Sequence, residues 1–193
     1  VIENHSGMGL FTRLFAIDAS NMAIANCGSY TAAFTMGGAY RIRHSTFANR
    51  WSYGVRNTPA VFFNNFALDS LDNPIPLPLN IEFGNTVFYG SSEDELGRQL
   101  VAGADSNYKF DHCLLRLKDN WKNEAAFINC ILNEDPLFRD YDAFNFEPDT
   151  LSPVIGKGKA EIGFEIPFDL NGVARSNPPD IGAYQFVPKT GEK

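Results

Sequence analysis

The chain has 193 residues, 44% of them apolar, enough for one sizeable domain or part of a longer elongated one, and too apolar for disorder. Its 16 basic and 23 acidic residues leave a net charge of −7, so the cationic excess of a nucleic-acid-binding surface is missing. No apolar run approaches the roughly 20 residues that span a bilayer, so no transmembrane segment is expected. The sequence opens at Val1 without an initiator methionine or signal peptide and already reads as the interior of a domain, so a fragment of a longer chain is expected.

In chain order, one pattern recurs: IDASNMAI (17–24), YRIRHSTF (40–47), the weaker AVFFNNFA (60–67), IEFGNTVF (81–88), YKFDHCLL (108–115) and AAFINCIL (125–132). Each alternates apolar and other residues up to an Asn or His, then resumes with an apolar residue three positions on. The alternation predicts a strand with one buried face. The anchors Asn21, His44, Asn64, Asn85, His112 and Asn129 are predicted turn positions, since Asn tolerates left-handed backbone and bonds locally. Their separations of 23, 20, 21, 27 and 17 residues suit an all-β chain wound as a parallel β-solenoid, with a β-sandwich as the competing arrangement. Residues 1–133 are read as its coils.

Coil-length variation marks the loops. DSLDNPIPLPL (69–79) holds three prolines and is expected to bulge outward. In SSEDELGRQL (91–100), Ser92 and Glu95 have the spacing of a capping box for a short helix.

The register also tests chemistry. By this alignment His44 and His112 lie three coils apart, too far to share a metal, and each is read as a turn residue replacing Asn. Asp18 beside Arg41 and Glu82 beside Lys109 are read as exposed ion pairs; a charged groove for a polysaccharide is the sharper alternative. Cys113 and Cys130 follow consecutive anchors and are expected to stack as reduced thiols, and the odd count of 3 cysteines argues against a full disulfide framework. For sugar binding the richest stretch is ANRWSYGVRN (48–57), where Trp51 and Tyr53 offer rings for pyranose faces and Arg50 and Arg56 offer guanidinium groups for carboxylates or sulfates. Arg98, Lys118 and Lys122 add basic groups that would matter if they converged.

The last 60 residues or so carry EDPLFRD (134–140), LSPVIGKG (151–158), DLNGVAR (169–175) and PPDIGAYQF (178–186) in that order. This series resembles the C-terminal end of secreted bacterial right-handed parallel β-helix proteins of the pectate-lyase-like superfamily. The resemblance implies a right-handed parallel β-helix in a secreted or cell-envelope setting, often linked to carbohydrate, and names no particular reaction. Residues 134–193 are then the final coil and a capping segment of the same domain. In DLNGVAR, Asp169 or Asn171 is expected to bond the backbone with Gly172 at positive φ. Asp180 is a candidate partner of Arg175; calcium is the candidate cofactor, but these oxygens lack EF-hand spacing.

Three functions follow as expectations. The first is an extracytoplasmic module that contacts carbohydrate or a cell-surface partner, with no catalytic residue assigned. The second is a polysaccharide lyase on uronic-acid glycans, which needs a Lys or Arg base and neutralisation of the substrate carboxylate. The third is a structural part of a larger envelope protein. A glycoside hydrolase is disfavoured, because no pair of acids falls together on the strand register.

Overall fold

The structure, a computed structural model, describes residues 1–118, 121 and 124–188. Among these residues the chain is all-β apart from one helix, Ala160–Glu165, and most strands belong to two parallel sheets. The six-stranded sheet runs in the order Ile2–Glu3, Ala23–Ala25, Thr46–Asn49, Val87–Gly90, Leu114–Leu115 and Ile131–Leu132. In the seven-stranded sheet, Leu10–Ser20 and Ala32–Arg43 lie side by side, followed by Leu79–Gly84, Ser106–Asp111 and Phe127–Ile128. Val61–Asn64 and Leu96–Gln99 extend that sheet from the first half of Ala32–Arg43. The chain passes repeatedly from the seven-stranded sheet to the six-stranded one through a short turn.

The recurring pattern becomes rows of like residues on successive strands. Ala19, Ile42, Phe83, Phe110 and Phe127 are successive partners in the seven-stranded sheet. Ile24, Phe47, Phe88 and Leu115 are the corresponding row of the other. Phe83 stacks on Phe110 with centroids 5.1 Å apart, Phe47 on Phe88 at 5.4 Å, and the two rows meet edge to face, Phe83 to Phe88, at 4.9 Å. Offset and edge contacts of this kind add about 0.5–1.5 kcal/mol each beyond the area buried.

At the turn, Asn21, His44, Asn85, His112 and Asn129 have φ of 53°, 46°, 49°, 53° and 50°. They end strands that pair in register, so His44 and His112 are two rows apart with Asn85 between them, not three. Asn64 departs from the expected anchor: it is not left-handed and closes no row. The reason is the length of Ala32–Arg43, whose backbone bends at Met36 (φ 62°) and Gly37 (φ 72°) and so offers two halves for pairing. Val61–Asn64 pairs with the first half only, and Asn64 Oδ1 accepts the Met36 N–H at 2.7 Å. The neighbouring Asn65 is fully buried and bridges to Val101 O and Val101 N at 2.8 Å each.

The residue after each anchor forms a second ladder. Ser45 Oγ and Thr86 Oγ1 donate to the carbonyls of Arg43 and Gly84 at 3.0 and 2.9 Å. Cys113 and Cys130 Sγ do the same towards Asp111 and Ile128 at 3.7 and 3.5 Å. All three cysteines are free. The thiols therefore take the place of hydroxyls in a turn, so Cys113→Ser is expected to change stability by no more than about 1 kcal/mol. Urea unfolding of the two proteins measures this; a loss of several kcal/mol would mean that sulfur packing, not the turn bond, holds the site.

Two expected details differ. No helix forms at 92–95; only half of the capping box exists, with the Ser92 N–H donating to Glu95 Oε1 at 2.8 Å, because Leu96–Gln99 is drawn into the sheet. The proline-rich stretch becomes an outward antiparallel hairpin, Phe66–Leu68 with Pro74–Pro76, whose turn is tied by Asp69 Oδ1 accepting from Leu71 and Asn73 N–H.

The C-terminal segment runs along the flank of the sheets. Phe146, Ala183 and Tyr184 pack on Ala23, Ala25 and Ala48, and Val154 and Ile181 pack on Val87, Tyr89 and Leu114. These contacts cover the second face of the six-stranded sheet, which explains why its central strands are buried on both sides. Residues 189–193 lie outside the described part. No helix among the described residues is long and apolar enough to cross a membrane.

Candidate functional site

The turn that leaves Thr46–Asn49 carries all four residues singled out for sugar binding, and the fold divides them. Arg56 turns inward. Its guanidinium meets Glu95 Oε1 and Oε2 at 2.7 and 2.9 Å and Asn49 O at 3.0 Å, and also donates to Thr58 O. The two side chains are 2% and 0% exposed, so Arg56 is a buried anchor and not a ligand-facing cation. Glu95 also accepts the N–H groups of Ala60 and Ser92 at 2.8 Å each. Burial pushes its carboxyl up, and the guanidinium and N–H donors pull it back down. The pair fixes the 50–59 loop onto the segment before Leu96–Gln99.

Arg50, Trp51 and Tyr53 stay together at the surface. Trp51 is half-buried over Gly28, where an added Cβ would lie 3.3 Å from Trp51 Cε2 and only 2.1 Å from Ser6 O. Its ring meets Tyr53 edge-on at 5.1 Å, leaving Tyr53 77% exposed. Arg50 stacks on Tyr141 with Cζ 4.2 Å from the ring centroid.

Arg50, Ser52 and Tyr53 line an open cleft of about 270 Å³ with Asn26, Tyr141, Asp142 and Phe144. Two of its polar atoms, Asn26 Oδ1 and Tyr141 Oη, are buried and lack a hydrogen-bond partner among the described residues. Burial pushes the Tyr141 phenol up, so it stays an O–H group. Phe144 is held at φ 57°, a left-handed conformation that a bulky side chain adopts at a cost of about 1–2 kcal/mol. Tyr141, Asp142 and Phe144 come from the segment between two paired strands, Phe138–Asp140 and Asn145–Pro148. Nothing in their sequence spacing ties them to Arg50; only the docking of the C-terminal segment does.

The remaining cations are engaged elsewhere. Lys118 pairs with Glu93 at 3.2 Å, and Arg98 pairs with Glu124 at 2.8 Å while lying over Trp121 at 4.4 Å. They do not converge, and Lys122 lies outside the described residues. On the exposed face of the seven-stranded sheet, Asp18 is in register with Arg41, as expected, at 3.9 Å. Glu82 falls between Arg41 and Lys109, but Lys109 reaches Asp111 at 3.2 Å instead. Glu165 of the helix bridges Arg41 and Arg43 at 3.0 and 2.6 Å, while Lys159 and His112 hold Asp111 at 2.8 and 2.7 Å. These groups pin the helix to the sheet. Ile162 reinforces the contact by filling the space over Gly84, where a Cβ would lie 2.5 Å from Ile162 Cδ1.

Two acids of the C-terminal motifs, Asp169 and Asp180, are occupied by backbone donors. Asp169 accepts from the N–H groups of Asn171, Val173 and Gln185 at 2.8 Å each. Asp180 accepts from Gly156 and Phe186 N–H at 2.7 and 2.6 Å. Arg175 pairs with neither within hydrogen-bond distance; it donates to Asn21 Oδ1 at 2.8 Å, and burial pulls its pKa down to about 10. Arg175 thereby fastens the segment to the first turn, while the carboxylates of Asp169 and Asp180 are taken up by nearby backbone N–H groups. No family model and no curated protein matches the chain.

Proposed function

We propose that this chain is a module of a secreted or cell-envelope protein that binds carbohydrate at the Arg50–Tyr53–Tyr141 cleft. The observation that carries the reading is the cleft itself: an exposed tyrosine ring beside a stacked arginine and two unpartnered polar atoms. Such sites take sugars because the ring covers a pyranose C–H face while the polar groups bond its hydroxyls. The passage of the chain between two parallel sheets, with left-handed turns closing in-register rows, supports a right-handed parallel β-helix. The likeness of the C-terminal motifs to pectate-lyase-like proteins points the same way. A lyase activity has less support, because Arg98 and Lys118 are each engaged by an acid of their own.

Affinity electrophoresis through gels holding neutral and uronic-acid polysaccharides tests the proposal. At least one polysaccharide should retard the protein, and Tyr53→Ala should weaken that retardation by about three- to tenfold without changing the fold. Equal mobility in every gel would remove carbohydrate binding from the chain. Products absorbing as unsaturated uronates would instead favour the lyase.

A further inference from the structure

Resting on the carbohydrate reading, we infer that the cleft selects a neutral, hydroxyl-rich sugar over an acidic one. The selection follows from which polar atoms line the cleft and which of them are already engaged. Asn26 is only 6% exposed, and its Nδ2 is tied to Asn4 Oδ1 at 2.5 Å. That bond uses one of the two amide N–H groups, fixes the orientation of the amide and leaves Oδ1 without a donor. The Asp142 carboxylate has no hydrogen bond or ion pair among the described residues and lines the same cleft. Asn26 Oδ1 therefore lacks a donor, and the exposed Asp142 carboxylate is free to accept one from a ligand.

The donors on the wall are the Arg50 guanidinium and the hydroxyls of Ser52, Tyr53 and Tyr141, and the three hydroxyls also accept. Arg50 lies over the Tyr141 ring and has no carboxylate partner among the described residues, and Tyr141 Oη is unpartnered. A sugar hydroxyl gives one proton and accepts others, so a polyol satisfies this mixed set from both sides. A uronate carboxylate only accepts. It would suit Arg50 but would leave Asn26 Oδ1 without a donor, and it would sit near Asp142, a like charge whose repulsion grows in a partly desolvated cleft. The chain's net charge of −7 adds a weaker, long-range bias against polyanions.

Isothermal calorimetry on the full chain with cellotriose, mannotriose, galactotriose and trigalacturonate tests the inference, using wild type, Asp142→Asn and Tyr53→Ala. At least one neutral trisaccharide should bind with little dependence on salt. Asp142→Asn should weaken it by about tenfold or more, as expected when a charge-assisted bond is lost. Trigalacturonate should not bind. Tighter binding of trigalacturonate, strengthened by Asp142→Asn, would overturn the choice of a neutral sugar and leave carbohydrate binding standing. Neutral binding that Tyr53→Ala weakens but Asp142→Asn does not would likewise overturn it. If none of the four sugars binds, the carbohydrate reading fails along with this one.

Discussion

Arg56→Ala is expected to lower the free energy of unfolding by about 3–5 kcal/mol, read as a shift of the urea midpoint at unchanged slope. The size follows from what the substitution leaves behind. Glu95 is fully buried, and its carboxylate is held by two guanidinium contacts and two backbone N–H groups. Without the guanidinium, the charge stays buried with only half of its donors, or it takes up a proton and gives up acceptor capacity. Asn49 O and Thr58 O lose a donor at the same time. Arg56→Lys should recover only part of the loss, since an ammonium cannot reproduce the paired contact while also reaching both carbonyls. A loss below about 1 kcal/mol would mean that Glu95 protonates without penalty. Because the pair holds the loop that presents Arg50, Trp51 and Tyr53, Arg56→Ala should also weaken any ligand of the cleft.

His44 is expected to make the fold acid-labile across a defined window. The ring is fully buried, and Asn85 Nδ2 donates to its Nε2 at 3.0 Å. The orientation of that amide is set by the Lys159 N–H, which needs Asn85 Oδ1 as its acceptor at 2.7 Å. Nε2 must then be the unprotonated nitrogen. Burial, the facing Arg175 and Arg43 together pull the pKa from 6.5 to about 3, against a smaller opposing effect from the Gly182 and Asp180 backbone. The folded pKa lies below the unfolded one, so the full stability is present above pH 6.5. As pH falls from there towards about 3, the unfolded chain binds a proton that the folded one refuses, at a cost of up to about 1.4 kcal/mol per pH unit.

Replacing His44 with Asn, which tolerates the same left-handed turn, should flatten this limb while costing some packing at neutral pH. The informative quantity is the difference between the two stability–pH curves. Glu95 and Asp180, whose carboxyls burial pushes up, tilt both curves in the opposite sense and cancel in the difference. Parallel curves from neutral pH downwards would show that His44 is protonated in the folded protein.

Much of the architecture was legible from local pattern. Alternation before an Asn or His marked five turns that do adopt left-handed backbone, a conformation that Asn and His enter more readily than most residues. Asn64 was misleading for a nonlocal reason: its strand pairs with half of a twelve-residue partner, and pairing is a choice between strands. The capping-box spacing at 92–95 was likewise real as a hydrogen bond but not as a helix, since Leu96–Gln99 gained more from joining a sheet. Arg56 shows the same limit in a side chain. Its neighbours in sequence resemble a surface aromatic cluster, while its partner Glu95 lies in another loop.

Short repeated spacings account for the all-β character, the parallel rows, the turn chemistry and the register of Asp18 beside Arg41, although Asp18 accepts its hydrogen bond from Arg43. That Arg50 and Tyr53 share a cleft with Asn26, Tyr141 and Asp142, and that Arg56 does not, follows from long-range packing. The C-terminal segment brings those residues there by covering the flank of the six-stranded sheet, driven by the burial of Phe146, Ala183 and Tyr184 on three small alanines. Burial is collective and nonlocal, so a site built by it leaves no spacing for a sequence to display.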